Sequence, residues 1–174
     1  GITTAGTGTL TLSGVNLSLL STVNGARSLT LNDTGTTVLG GNIGDTTPLM
    51  SLATDSFTTA AGETHLKGAS IHTTTDAVFN DIVKIFTDVR VTAAGQLTFA
   101  KTIDGDAPGT RSLTLNGGNI AAINVDGAVG ETEAVAGGGA DVVMQAHHFD
   151  ASGSLDHRFH NGAREFDQLG ADLL

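Results

Sequence analysis

The side chains of this chain that could do chemistry are its histidines and carboxylates, and they fall in three places. Four of the six histidines, His147, His148, His157 and His160, lie in the stretch from Gln145 to Leu174, beside Asp150 and Asp156. That density of imidazole and carboxylate is enough for a divalent metal. On a single strand, however, positions 157 and 160 point to opposite faces, and only a turn or helix would bring them together. Surface histidines are the preferred reading. The second group is Asp104-Gly105-Asp106 with Glu131, Glu133 and Asp141, the last closing a Gly137-Gly138-Gly139-Ala140 run. These are oxygen ligands of the kind calcium takes. The full nonapeptide of calcium-binding glycine repeats is missing, so they read as solvated turn acids. The third group is Asp81, Asp88 and Asp104 with Lys84 and Arg90. A carboxylate pair for glycoside cleavage would have to be assembled from them on the molecular surface, and no spacing selects such a pair.

Other site chemistries lack their motifs. No Lys-Ser or Lys-Thr follows Gly137 to Gly139, so the run is a turn and not a phosphate cradle. No nucleophile elbow supports Ser-His-Asp chemistry. The sequence assigns no catalytic, cofactor-binding or metal-ligating residue, and calcium or a histidine-bound divalent metal has no support beyond composition.

Composition narrows the classes further. Of 174 residues, 18 are Asp or Glu and 8 are Lys or Arg, a net charge of −10, which repels phosphate backbones and anionic lipid and argues against nucleic-acid binding. With 39% hydrophobic and 15% charged residues the chain is too apolar for a disordered acidic tail. It has no window near the length and apolarity of a membrane helix. There are 24 Gly and 26 Thr but only 7 Phe, and no Trp, Tyr or Cys. The interior must therefore be built from Val, Ile, Leu and Ala. An aromatic-lined cleft, disulfides and thiolate chemistry are excluded as its organising features. The opening GITTAGTGTL has neither the basic start nor the apolar stretch of a secretory signal, and a first residue other than Met fits a processed or excised segment.

The elements that must position any site announce themselves by alternation. Leu10/Leu12, Leu29/Leu31, Val89/Val91, Leu97/Phe99 and Leu113/Leu115 are each separated by one polar or small residue, the period of a strand with one buried face. Asn24-Gly25, Asp104-Gly105 and Asp126-Gly127 supply tight turns between them. Asp76 to Val89 fits a helical face through Val78, Phe79, Ile82, Val83 and Phe86, but the flanking Thr runs favour strands. Above this sits a long repeat: Arg27-Ser28-Leu29-Thr30-Leu31-Asn32 returns unchanged as Arg111-Ser112-Leu113-Thr114-Leu115-Asn116. Val23-Asn24-Gly25 returns as Ile103-Asp104-Gly105, with four residues, Asp106 to Gly109, inserted before the second copy. Short strands, a unit of about 80 to 90 residues and a small-aliphatic core predict an all-β fold, a right-handed parallel β-solenoid of roughly 20-residue coils. A β-sandwich is the alternative. Residues 1–144 form the solenoid, and 145–174, without counterpart upstream, form a cap or joining segment in which Phe149, Phe159 and Phe166 would pack on a solenoid end or an intersubunit seam. Leu29, Leu31, Leu113 and Leu115 are expected inside, at equivalent places about four coils apart.

The run Leu97-Thr98-Phe99-Ala100-Lys101-Thr102-Ile103-Asp104-Gly105 followed by Arg111 to Asn116 resembles repeats of large bacterial surface proteins of the filamentous haemagglutinin type. Thr36 to Gly44, Pro48 to Asp55 and Gly68 to Thr75 resemble other parts of that repeat, so that the likeness spans about residues 7–131. It implies a secreted, extracellular or cell-surface β-solenoid stalk used for attachment or matrix building, and it carries over no catalytic or binding residue. The expected function is structural and adhesive, a stiff rod or filament subunit and not an enzyme. Its partners are copies of itself or further repeats of a longer chain, with surface carbohydrate as the ligand class that rows of Thr hydroxyls would suit. A β-helical polysaccharide-degrading enzyme is the alternative, and it would require acidic and basic residues converging in one groove.

Overall fold

The computed structural model describes residues 1–55, 62–107, 111–117 and 123–125, and the backbone of 142–146. Among these residues every regular element is a strand, and every strand pairing is parallel. The strands wind as a three-faced β-solenoid of about five turns. Face I stacks β2 (Thr9–Gly14), β5 (Ser28–Asp33), β7 (Ser51–Thr54), β10 (Ala77–Phe79), β13 (Leu97–Phe99) and β16 (Ile123–Val125). Face II stacks β3 (Ser18–Leu19), β6 (Thr36–Leu39), β8 (Glu63–Leu66), β11 (Ile82–Ile85) and β14 (Ile103–Gly105). Face III holds β1 (Ile2–Thr3) with β4 (Val23–Asn24), then a bridge through Ile43 to β9 (Ser70–Thr73), β12 (Val89–Ala93), β15 (Leu113–Gly117) and β17 (Val142–Ala146).

Alternation decides what each strand buries. In β5, β6, β7, β8 and β11 every second side chain is buried, and these inward residues register on one another from coil to coil. Leu29 lies on Leu52, Leu39 on Leu66 and Val91 on Leu115, each link burying aliphatic surface between coils. Phe79 and Phe99, both fully buried, are register partners whose rings stack with centroids 4.7 Å apart and planes 7° from parallel. That separation equals the spacing of neighbouring strands, so the rings stack because the backbones do. The segment from Asp76 to Val89 is extended, as its Thr flanks predicted: it makes β10 and β11 and enters β12.

Corners are built by Asn and Asp. Asn16 Oδ1 accepts from the Thr36 amide (3.0 Å), Asn42 Oδ1 from Ala69 (2.9 Å), Asp76 Oδ1 from Gln96 (2.7 Å) and Asp88 Oδ1 from Ser112 (2.9 Å). In each case the acceptor serves an amide of the next coil where the strand ladder has stopped, which meets the requirement that backbone donors find partners.

The repeat behaves otherwise than expected. Leu29, Leu31, Leu113 and Leu115 are all buried, as alternation requires. They do not occupy equivalent places: β5 lies on face I and β15 on face III. Along face I the register climbs from Leu29 through Leu52, Ala77 and Leu97 to Ile123, so the residue four coils above Leu29 is Ile123 and not Leu113. The repeat is therefore shorter than four turns, and its second copy stops one face early. The neighbouring motif moves with it, Val23-Asn24 on face III and Ile103-Asp104-Gly105 on face II. Strand β17 continues the face III ladder through Ala146, past the expected boundary at 144.

Candidate functional site

A groove lined by both polar and apolar surface opens on the outside of face III, and its origin is a coil that is longer than its neighbour. The face III register steps from Val23 to Ile43 and then from Ile43 to Ile71, and the second step takes in an extra stretch of chain. At Ile43 the face is reduced to a single bridge, and Gly44, with φ of 71°, turns the chain outward. The backbone amides of Thr46 and Thr47 donate to Asn24 Oδ1 (2.9 and 3.2 Å), which ties the excursion down before Leu49 rejoins the face opposite Thr73. Asp45 is left at the rim, its Oδ1 accepting from Ser70 Oγ at 3.2 Å. The outward side chains of β9 and β12, Ser70, His72, Arg90 and Thr92, complete a groove of about 330 Å³. The Arg90 guanidinium donates from Nε to Asn116 Oδ1 on β15 at 2.9 Å, with the carboxamide oriented so that its oxygen faces the guanidinium.

One carboxylate, one imidazole, one guanidinium and two hydroxyls make a surface that can hydrogen-bond a ligand. Asp45 is the single carboxylate lining the groove among the described residues. A glycosidase mechanism needs two carboxyl groups flanking the scissile bond.

The residues singled out from sequence are dispersed by the fold. Asp88 caps the corner between faces II and III through the Ser112 amide. Lys84 is on the outside of face II, 3.2 Å from Glu63 Oε1, and Glu63 Oε2 meets His65 Nε2 at 2.8 Å. The hydrogen bond from His65, helped by Lys84 and opposed by partial burial, holds the Glu63 carboxyl below its ordinary range. Phe86 joins this patch, its ring 4.8 Å from the His65 ring and 4.8 Å beneath the Lys67 ammonium. Asp104 is buried on β14, whereas Asp106 makes a two-point ion pair with Arg111 (2.7 and 3.0 Å), so the two acids do not converge on a cation. Among the described residues no three His, Asp or Glu side chains gather where a metal could be held. Glu131, Glu133, Asp141, Gly137 to Gly139 and the cluster of His147, His148, Asp150, Asp156, His157 and His160 lie outside the described residues, as do Phe149, Phe159 and Phe166.

Asp81 is the clearest correction. Sequence reasoning placed it among surface carboxylates, but it is 1% exposed, at the corner where face I turns into face II. Two more aspartates occupy the same corner in the coils before it, Asp33 and Asp55, both buried. Each reaches back one coil. Asp33 accepts from the amides of Asn16 (2.7 Å) and Leu17 (2.6 Å), and also from Gly35 (3.0 Å) and Thr37 Oγ1 (3.2 Å). Asp55 Oδ1 accepts from the Asp33 amide at 2.6 Å, and Asp81 accepts from Thr54 Oγ1 (3.0 Å) and Thr64 Oγ1 (2.9 Å). Burial works against the charge of Asp33, but the Leu17, Gly35 and Asn16 amides and the Thr37 hydroxyl outweigh it and hold its pKa below 3.8. The sequence signal was present: an Asp at or just past the end of the face I strand recurs in three successive coils, at 33, 55 and 81.

No protein-family model matches the chain, and no curated protein or solved structure matches it either.

Proposed function

We propose that this chain is a structural segment, a stiff β-solenoid rod of a bacterial cell surface or extracellular fibre. Its parallel ladders supply the mechanics, and its outer faces supply adhesion. The observation that carries the reading is the stacking of parallel strands on three faces around an aliphatic and aromatic interior. Bending such a rod would separate strands and unstack side chains at every coil, so stiffness is intrinsic to it. The likeness of Leu97 to Gly105 and of the Arg27 and Arg111 motifs to surface-protein repeats points the same way, towards neighbours that are further repeats or further copies. In this reading the face III groove is a docking strip for hydroxyl-rich surface ligands and performs no bond cleavage.

Electron microscopy of the purified chain tests the proposal directly. With about five turns at roughly 4.8 Å each, a single chain is only about 25 Å long, so end-to-end filaments are the expected result, and particles that stay single at high protein concentration would overturn it. Release of reducing ends from neutral or acidic polysaccharides above a boiled control, abolished by changing a single carboxylate, would replace the structural reading with the enzymatic one.

A further inference from the structure

The corner between faces I and II contains a donor deficit. Asp55 is 6% exposed, and its Oδ2 is buried with no hydrogen-bond donor among the described residues. Asp81 occupies the same corner one coil on, buried and held by the hydroxyl of Thr54, the residue next to Asp55, and the neighbouring Asp55 carboxyl pushes its pKa up. Two ionised carboxylates are both pure acceptors, so a contact between them becomes a hydrogen bond only when one carries a proton. The nearby donors are already committed: the Thr54 and Thr64 hydroxyls to Asp81, and the Asp33 amide to Asp55 Oδ1.

We propose that Asp55 and Asp81 hold one proton between them, and that this shared proton latches adjacent coils, making the solenoid tighter in mildly acidic solution than at neutral pH.

The surroundings favour a proton at this place. Burial is the largest influence on Asp81 and raises its pKa. The Thr64 hydroxyl lowers it, the hydrogen bond and charge of Asp55 raise it again, and Thr54 lowers it, with a net rise to about 6. Asp33, one coil before Asp55, adds negative charge and is already saturated by four donors. In the next coil the register puts Lys101 opposite Asp81, and Lys101 is half-exposed. On face II, Thr64 and Val83 point inward, and the charged groups Glu63, Lys84 and Asp104 alternate with inward residues or register on outward ones. Glu63 and Lys84 neutralise each other. The result is a small negative enclosure in which one proton relieves both the donor deficit and the repulsion.

The direction of the pH effect follows. In the unfolded chain Asp81 titrates at its ordinary 3.8, and in the fold its pKa is raised to about 6. Between those values only the folded state is protonated, so stability falls as pH rises through the window and is flat above it.

Thermal unfolding of the full chain, followed by circular dichroism at pH 5 and pH 7.5, tests this with wild type and Asp81→Asn. The wild type should melt roughly 3 to 5 °C higher at pH 5. The carboxamide introduced by the substitution donates to Asp55 Oδ2 at any pH, and the Thr hydroxyls rotate to accommodate it. Asp81→Asn should therefore match or exceed wild type at pH 7.5 and lose most of the pH difference. An unchanged pH difference in Asp81→Asn would overturn the proposal, as would a lower melting temperature for it at pH 7.5. The infrared carbonyl band of a protonated carboxyl in the wild type at pH 5, lost by pH 7.5, reads the same proton without any variant, and its absence counts against the latch. So does a rise in melting temperature at pH 7.5 on adding calcium that chelator reverses and Asp81→Asn abolishes, since the space would then belong to a cation.

Discussion

Replacing Phe99 by alanine removes a ring that is wholly enclosed between two coils, which makes it the most direct measure of how much the stack holds. Phe99 has no exposed surface, lies face to face on Phe79 at 4.7 Å and registers on the half-buried Val125 in the following coil. The rigid strands on either side of it cannot close over the vacancy without breaking ladder hydrogen bonds. Phe99→Ala should therefore fall in the upper part of the range for buried Phe truncations, about 4 kcal/mol, of which roughly 1 kcal/mol is the ring-on-ring contact. The comparison is Phe86→Ala, whose half-buried ring meets His65 and Lys67 on the outside of face II and should cost only about 1 kcal/mol. Urea unfolding read by far-ultraviolet circular dichroism separates the two. Because a solenoid is held together by nearest-neighbour coil interfaces, weakening the one between β10 and β13 should also broaden the transition and lower its slope, as coils on the two sides begin to unfold separately. If Phe99→Ala costs no more than Phe86→Ala, the ring is not part of a packed coil interface and the stacking argument is wrong.

Two further outcomes follow from the corners. Asp33→Ala strips the acceptor from three backbone amides and one hydroxyl at once, and it should lower stability by roughly 2 to 4 kcal/mol in the same urea assay. Asp33→Asn, which keeps one acceptor oxygen, should lose less. Gly44→Ala places a Cβ against the His72 carbonyl at a φ of 71°, so it should cost roughly 1 to 3 kcal/mol and lower the melting temperature, whereas Ala at the open Gly8 position meets no neighbouring atom and bears only its backbone strain.

Much of the fold was legible because the solenoid rule is local. Any segment that alternates an aliphatic with Thr or Ser can be a face, and a Gly, Asn or Asp beyond it can be a corner. That is why Asp76 to Val89 was readable as strands despite its helical spacing. The same locality hid the phase. Ser-Leu-Thr-Leu-Asn satisfies face I and face III equally, since both ask only for two inward aliphatics, and the corner lengths alone decide which face receives it. Identical motifs therefore landed on different faces, and their arginines found different partners. Arg27 donates to the Ala5 carbonyl (2.8 Å) and weakly to Gly8 (3.3 Å), while Arg111 pairs with Asp106 from the inserted segment. The face III groove was illegible for a related reason: it exists because the coil from Ile43 to Ile71 is a long one, and coil length shows only after the register is known. The acidic corner was misread because an Asp in a turn-rich sequence is usually a solvated cap. Burial here is imposed by the neighbouring coil, through contacts such as Asp33 to Asp55 and Thr54 to Asp81 that sequence separation conceals.

That corner also sets the shape of the stability profile. Asp33 and Asp81 occupy the same corner two coils apart and are shifted in opposite directions, because amide donors outweigh burial at Asp33, whereas at Asp81 burial dominates and the Asp55 carboxyl adds to it. Asp33 and Glu63, with folded pKa values below their ordinary ones, stabilise the fold above those ordinary values, and that contribution disappears as pH falls through the folded pKa. Asp81, with its folded pKa raised from 3.8 to about 6, contributes in the opposite sense, and its stabilisation is lost as pH rises across that interval. A two-unit separation corresponds to at most about 3 kcal/mol. Stability should consequently peak in mildly acidic solution near pH 4 to 5, descend to a plateau above pH 6 and fall steeply in stronger acid. A series of urea midpoints across pH 2 to 8 measures the curve. A monotonic rise from pH 4 to 8 would mean that the depressed carboxylates dominate and that Asp81 is ionised in the fold like any surface acid.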